Sequence, residues 1–409
     1  MSKKIFFVFL ILISFVYLFL RFYHLDTLLD FRFDQGFFLL DSKSTIESPT
    51  IRLLGPPTSK IFEGRQFFVG SNYYYLLGIV GQISQWDPLL ITSFFIIFEF
   101  IFYLIFIFFL RQRFNPFCAF LVFFTIAISP YLVGHSRFFW NPHMLIPLSV
   151  ITLISFDKFV QNKKYIYLLI ASLCWGFAFA CHYSAIFWAI FFIYFLIKSR
   201  LFLNLKSYII ILFGVFVGNL PFFIFEIRHN FYNLKTFIYV YTHSSQGGEL
   251  TSHYFVFPLL IFTIFLLLFF LKKLPKSNIY LFLILSLITT IQFKIYPSYP
   301  SLGKIDGWSY SDQEKVANII SKNCPNNFNV AATMQGDTRA YDLRLLLTTK
   351  NCLPNQVENY PNSKKIFLIA KNDHTPETET VWEIDSYKPF KITQKIPLND
   401  KLNFYELTK

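Results

Sequence analysis

Residues 88–110 read PLLITSFFIIFEFIFYLIFIFFL, a longer apolar stretch than any soluble core needs. About 20 such residues in a helix cross the roughly 30 Å hydrocarbon interior of a bilayer. Comparable runs flank it at Ile5–Leu20, Pro116–Val133, Met144–Phe156, Tyr165–Ala180, Tyr183–Ile197, Tyr208–Phe225, Tyr254–Leu271 and Ile279–Phe293. The shorter ones (144–156, 165–180 and 183–197) can reach both interfaces through flanking Tyr, Lys and His. Tyr73–Ile83 is shorter still, holds two glycines and reads as a juxtamembrane helix. The whole chain agrees: of 409 residues, 54% are hydrophobic and only 15% charged, with mean hydropathy +0.46. A soluble domain carries about a quarter charged residues. The reading is a multi-pass α-helical membrane protein with about nine spans.

Charge sets the orientation. A net charge of +13 would suggest nucleic acid for a soluble protein, but here the cations sort by side, so no nucleic-acid partner is expected. With a cytoplasmic N-terminus and nine spans, the inner side takes Lys3, Lys4, Arg111, Arg113, Lys158, Lys163, Lys164, Lys198, Arg200, Lys206, Lys272, Lys273 and Lys276. Asp157 is the one acid among them, which is the positive-inside pattern. No small-residue cleavage site follows Ile5–Leu20, so it is expected to stay as the first span in the cell's inner (cytoplasmic) membrane. Residues 1–296 then form the membrane domain, with a first outer loop over 22–87, and residues 297–409 a small extracytoplasmic α/β domain. In that domain Ser311 and Glu314 predict a capped helix to Asn323. Phe328–Met334 and Lys365–Ala370 read as strands, Thr338–Thr349 as a helix, and Phe390–Glu406 alternates as strands do. Cys118, Cys174 and Cys181 read as packing residues. Cys324 and Cys352 would be in an oxidising compartment, and spacing leaves their pairing open.

The same topology carries ionisable residues from distant parts of the chain to the outer helix ends. The first cluster is Arg32 and Asp34, with Asp41 following; the second is His135, Arg137 and Asn141; the third is Glu226, Arg228 and His229. His182 falls at the outer turn between the fifth and sixth spans. A carboxylate and several cations at the lipid–water boundary suit an anionic, lipid-tethered substrate. Arg presents a planar fork to phosphate oxygens, and a positioned carboxylate can take the proton of an attacking hydroxyl. Each residue also has a plain structural reading. Asp34 can cap a helix, Arg137 can snorkel, and Glu226 and Arg228 can be a surface pair beside a solvated His229. His182 beside Cys181 is too small a set for a metal. Asp337 and Asp342 read as a solvated face.

A first span followed by a long outer loop opening with Phe33-Asp34-Gln35 resembles the polytopic glycosyltransferases of the protein O-mannosyltransferase and aminoarabinose-transferase group, which share the GT-C fold. Leu53-Leu54-Gly55-Pro56-Pro57-Thr58-Ser59, Tyr73-Tyr74-Tyr75-Leu76-Leu77 and Asn219-Leu220-Pro221-Phe222 are similar to bacterial members. The resemblance covers roughly residues 1–240. It implies transfer of a hexosyl or pentosyl group, with inversion, from a polyprenyl-phosphate carrier to a hydroxyl of a protein, lipid or glycan. Asp34 would be the base, and Arg137, with Arg228 or His229, would hold the carrier phosphate. Asp41, Tyr74, His135, Asn141, His182 and Glu226 are candidate substrate contacts, and membrane lipids are the surroundings. No cofactor is required, and a divalent metal stays open. Two departures stand out: Gln35 replaces the second acid common after the loop Asp, and Asn141 occupies a position where many relatives carry an acid.

Three further classes compete. A transporter or flippase of lipid-linked sugars would need ionisable groups near mid-membrane or matched broken helices, and the apolar runs hold almost no charge. A ligase or polymerase acting on lipid-diphosphate glycans would favour a large Arg-rich late loop, whereas Glu226–Ser252 holds one Arg. A plain membrane anchor would not need nine spans.

Overall fold

The computed structural model describes residues 3–243, 253–271 and 305–409. Helix α1 (Lys3–Phe22) is followed by the short α2 (Leu25–Leu28) and by α3 (Phe33–Glu47). A β-hairpin, β1 (Leu54–Phe62) and β2 (Arg65–Gly70), then leads to α4 (Asn72–Ile83). The hairpin is an addition to the helices expected in this loop. Its two-residue turn places Glu63 and Gly64 at positive φ, 49° and 71°, the geometry that matches the twist of antiparallel strands.

The helical body continues through α5 (Pro88–Arg113), α6 (Pro116–Ile128), α7 (Pro130–Ser136), α8 (Leu145–Asn162) and α9 (Tyr165–Cys181). It ends with α10 (Trp188–Lys198), α11 (Leu205–Gly218), α12 (Leu220–Arg228), α13 (Tyr232–His243) and α14 (His253–Leu271). Among the described residues three helices are long and apolar enough to cross a membrane: α1, α5, and α8 together with the turn before it. The runs expected as single spans over 116–133 and 208–225 are each broken in two. Helices α6 and α7 meet at 59°, and α11 and α12 at 87°. The cause is local: Pro130 and Pro221 lie in the first turn of the second helix, where a missing N–H is harmless but a continuing helix would lose a hydrogen bond. Counting each bent pair as one span gives five. The apolar runs after Tyr165, Tyr183 and Tyr254 form shorter helices. The run 279–293 and the expected domain boundary at 296 lie outside the described residues. Helices α9 and α11 approach closely because Gly214 and Gly218 leave room. A Cβ on Gly218 would lie 2.3 Å from the Leu173 carbonyl oxygen.

The C-terminal unit has α15 (Tyr310–Lys322), β3 (Phe328–Ala332), α16 (Tyr341–Thr349), β4 (Lys365–Lys371), β5 (Lys391–Pro397) and β6 (Leu402–Thr408). Its sheet runs β3-β4-β6-β5, with β3 and β4 parallel and the other pairs antiparallel. Val330, Phe367, Ile369 and Phe404 face a core continuous with the helical body. Their neighbours Ala331, Leu368, Ala370 and Tyr405 build a second core on the opposite face, which is why β4 reads as an unbroken apolar run over 366–370 and β3 is buried throughout. The exposed edge strand β5 carries Lys391 and Lys395, a defence against pairing with other chains. Cys324 and Cys352 form a disulfide with Cα atoms 5.6 Å apart. The cap of α15 is Ser309, not Ser311: its hydroxyl accepts from the Asp312 N–H, and the Asp312 carboxylate accepts from the Ser309 N–H in return.

Candidate active site

Asp34 lies in the first turn of α3, half-buried, where the helix dipole favours a negative charge. It does not cap the helix; Arg32 occupies that position. Burial raises the Asp34 carboxyl above the ordinary carboxylate range. Arg32 pulls it down, and Asp337 of the C-terminal unit pushes it up. Arg32 is itself paired with Asp30 at 2.8 Å, so part of its charge is already committed. The Asp30 N–H donates to the Arg137 carbonyl oxygen at 3.0 Å, and the Phe31 and Phe139 rings lie 6.4 Å apart. The first two clusters, about a hundred positions apart in the chain, therefore meet.

Arg137 is fully buried and donates through Nη2 to the Leu20 carbonyl at 2.6 Å, across the end of α1. His135 packs between Tyr131 and Phe257, with ring centroids 4.2 and 4.9 Å away. Asn141 donates to the Cys181 carbonyl at 2.5 Å, and His182 meets the Ser184 hydroxyl at 2.7 Å. Two turns along α3, Asp41 pairs with Arg52 at 2.7 Å, and the Arg52 guanidinium lies 4.5 Å from the centre of the buried Tyr74 ring. Burial, with Asp41 next in effect, raises the Tyr74 phenol well above its ordinary value.

The third cluster goes elsewhere. The Glu226 carboxylate is buried and accepts from the N–H groups of Asn233 and Leu234, capping α13. Asn233 in turn accepts from the Phe68 N–H of the hairpin at 2.9 Å. Arg228 and His229 are exposed, the latter stacked on Phe225 at 4.0 Å.

Four features escaped the reading of the sequence. Asp342 is no solvated acid: it is fully buried and accepts from Trp308 Nε1 at 2.9 Å and Gln335 Nε2 at 2.7 Å. Asp337 follows Gly336, which packs against the Phe33 ring, so its charge bears on Asp34; it is itself paired with Arg339. The other two are buried charges at the spans: Glu99, the single charged residue within the 88–110 run, and Arg21, just past the end of the 5–20 run. Arg21 donates to the Ala127 carbonyl at 3.0 Å, and Glu99 lies 3.8 Å from His143 Nδ1. Glu99 stands alone as an acid in α5, a signal open to a sequence reader; the placement of Asp337 leaves none. Among the described residues, no group of three or more His, Cys, Asp and Glu is placed to hold a metal.

Residues 72–225 match the family model described as dolichyl-phosphate-mannose-protein mannosyltransferase. Among solved structures, the chain is similar to the Archaeoglobus fulgidus oligosaccharyltransferase in complex with Zn and sulfate, with TM-score 0.43 and 13% identity over 88% of this chain and 67% of that one. It is also similar to the oligosaccharyltransferase AglB of the same organism with an inhibitory peptide and a dolichol-phosphate. That likeness has TM-score 0.39 and 14% identity over 84% of this chain and 46% of that one, so the chain spans about half its length. No curated protein sequence matches the chain.

Proposed function

From the premise that residues 72–225 are a mannosyltransferase-type membrane segment, we propose that the chain moves a sugar from a polyprenyl-phosphate carrier to a hydroxyl acceptor at the outer membrane face. In this arrangement nine spans cross the inner membrane, with the N-terminus in the cytoplasm and the C-terminal region, residues 297–409, outside and packed onto the loop that carries Asp34. Asp34 takes the proton of the acceptor hydroxyl as its oxygen attacks the anomeric carbon. The bond from that carbon to the carrier phosphate breaks on the opposite side, with inversion, and the phosphate leaves with the electron pair. A carboxyl raised by burial is a stronger base once ionised, which suits this role at neutral pH. Arg137 supplies fixed positive charge beneath the site. The exposed Arg228 and His229 offer the carrier phosphate its first cationic contact. The half-buried Asp41 and His182 meet the substrate in this reading, with the buried Tyr74, His135 and Asn141 behind them. The observation that carries the reading is the meeting of the Asp34 segment with Arg137 through the bond from Asp30 to the Arg137 carbonyl. The acceptor is a protein, lipid or glycan hydroxyl.

The test is Asp34→Asn in full-length protein reconstituted with radiolabelled polyprenyl-phosphate mannose and envelope acceptors. Loss of transfer by about 10²–10⁴-fold is expected for a missing general base. Transfer at the wild-type rate removes Asp34 from that role.

A further inference from the structure

We infer that Asp337, on the C-terminal unit, is a positioning residue for Asp34, and that this unit completes the site instead of merely covering it. The inference rests on the reading of Asp34 as base.

The geometry comes from both sides of Asp34. Ahead of it, Gln313 Nε2 on α15 donates to the Phe31 carbonyl at 2.6 Å, and the Tyr310 ring stands edge-on to Phe31 at 6.1 Å. Behind it, α3 and α16 touch backbone to backbone at Gly36. A Cβ there would lie 2.4 Å from the Tyr341 carbonyl oxygen and from the Asp342 nitrogen. Phe37 and Tyr341 add a ring contact at 5.2 Å. The loop between β3 and α16 bridges these two grips. A Cβ on Gly336 would sit 3.8 Å from the Phe33 ring, and Asp337 follows immediately.

That loop is held in shape from below. The buried Asp342 carboxylate ties Gln335 to Trp308. The Asp337 carboxylate accepts from the Arg339 N–H at 3.1 Å and pairs with the Arg339 side chain. Among the described residues, the charges that bear on Asp34 are Arg32 from its own segment and Asp337 from the loop before α16, and each is itself paired, Arg32 with Asp30 and Asp337 with Arg339. Tyr341 and Asp342 lie on the helix beyond, Tyr341 beside Arg339 with its ring 5.0 Å from the guanidinium. Each side presents one acid–base pair, and the balance between Asp337 and Arg339 sets the field that Asp34 feels from the C-terminal unit. Asp337 disfavours the ionised Asp34, in the same direction as burial.

The sign follows. Asp337→Asn keeps the oxygen that accepts from the Arg339 N–H but removes the neighbouring charge, so Asp34 ionises at lower pH. Arg339→Gln leaves Asp337 unneutralised, so Asp34 ionises at higher pH. The experiment is carbodiimide labelling of Asp34 against pH in the full-length detergent-solubilised protein, read by mass spectrometry of its peptide. The acid limb of transfer from polyprenyl-phosphate mannose is measured in parallel. The expected result is opposite displacements of the labelling midpoint, about half a pH unit each, with the transfer limb moving alongside. Midpoints that stay put, or that move the same way in both variants as general loosening would cause, overturn the inference. If the midpoints move apart while the transfer limb does not follow, Asp34 is not the base. That outcome removes the functional reading and with it any positioning role for Asp337.

Discussion

Two acids placed alike on the sequence have different surroundings. Asp34 and Glu226 both follow an apolar segment, on what the positive-inside count reads as its outer side. Yet Glu226 spends both oxygens on the first N–H groups of α13, while the Asp34 carboxyl is raised by burial and, from another part of the chain, by Asp337. Glu226→Ala should therefore lower stability by about 1–2 kcal/mol, the usual cost of losing a helix cap, and show as an earlier thermal transition with kcat nearly unchanged. The exposed Arg228 should do the reverse: Arg228→Ala should raise the KM for polyprenyl-phosphate mannose several-fold at constant kcat, with no thermal shift. Chemistry-bearing residue types were legible in the sequence; their partners were not. Asp342 looks like any surface acid until Trp308 and Gln335 close over it.

Elements were legible where one periodicity persisted. The strands β3 and β4 and the helix before them stand where short, mostly apolar runs and capping predict, with the cap displaced to Ser309 because Ser309 and Ser311 both precede an acid three residues on. The breaks at Pro130 and Pro221 were hidden because hydropathy is blind to backbone geometry, and each proline sits inside an apolar run. The hairpin was missed because Glu63-Gly64 is a weaker turn signal than Asn-Gly. At this scale Gly36 is the decisive position, since α3 and α16 touch there without side chains between them. Gly36→Ala should force them apart, expose the loop before α16 to protease and cut transfer at least tenfold, a loss read by limited proteolysis beside the activity assay. Unchanged proteolysis would show that the contact yields.

Across the whole molecule, the hydrophobic core runs without interruption from the helical body into the C-terminal unit. Composition and apolar runs announced a helical membrane protein with a mixed α/β tail, but no sequence pattern specifies that the tail folds back onto the loop after the first helix. The orientation is open to direct measurement with membrane-impermeant thiol reagents on cysteines placed at exposed positions. Thr50→Cys and Asn230→Cys should react from outside intact cells, and Lys164→Cys only after permeabilisation. Outside labelling at Lys164 would reverse or shorten the proposed span order.

Tyr310 reaches back to the Asp87 carboxylate at 3.2 Å, and Gln313 to the Phe31 carbonyl, so the last quarter of the chain braces the first. On the proposed mechanism, a ribosome still making this protein has already delivered Asp34 to the membrane, but in an unfinished setting. The enzyme would then stay silent through its own synthesis and insertion, and a message cut short before the codon for Tyr310 is expected to yield an inserted protein that spends no carrier lipid.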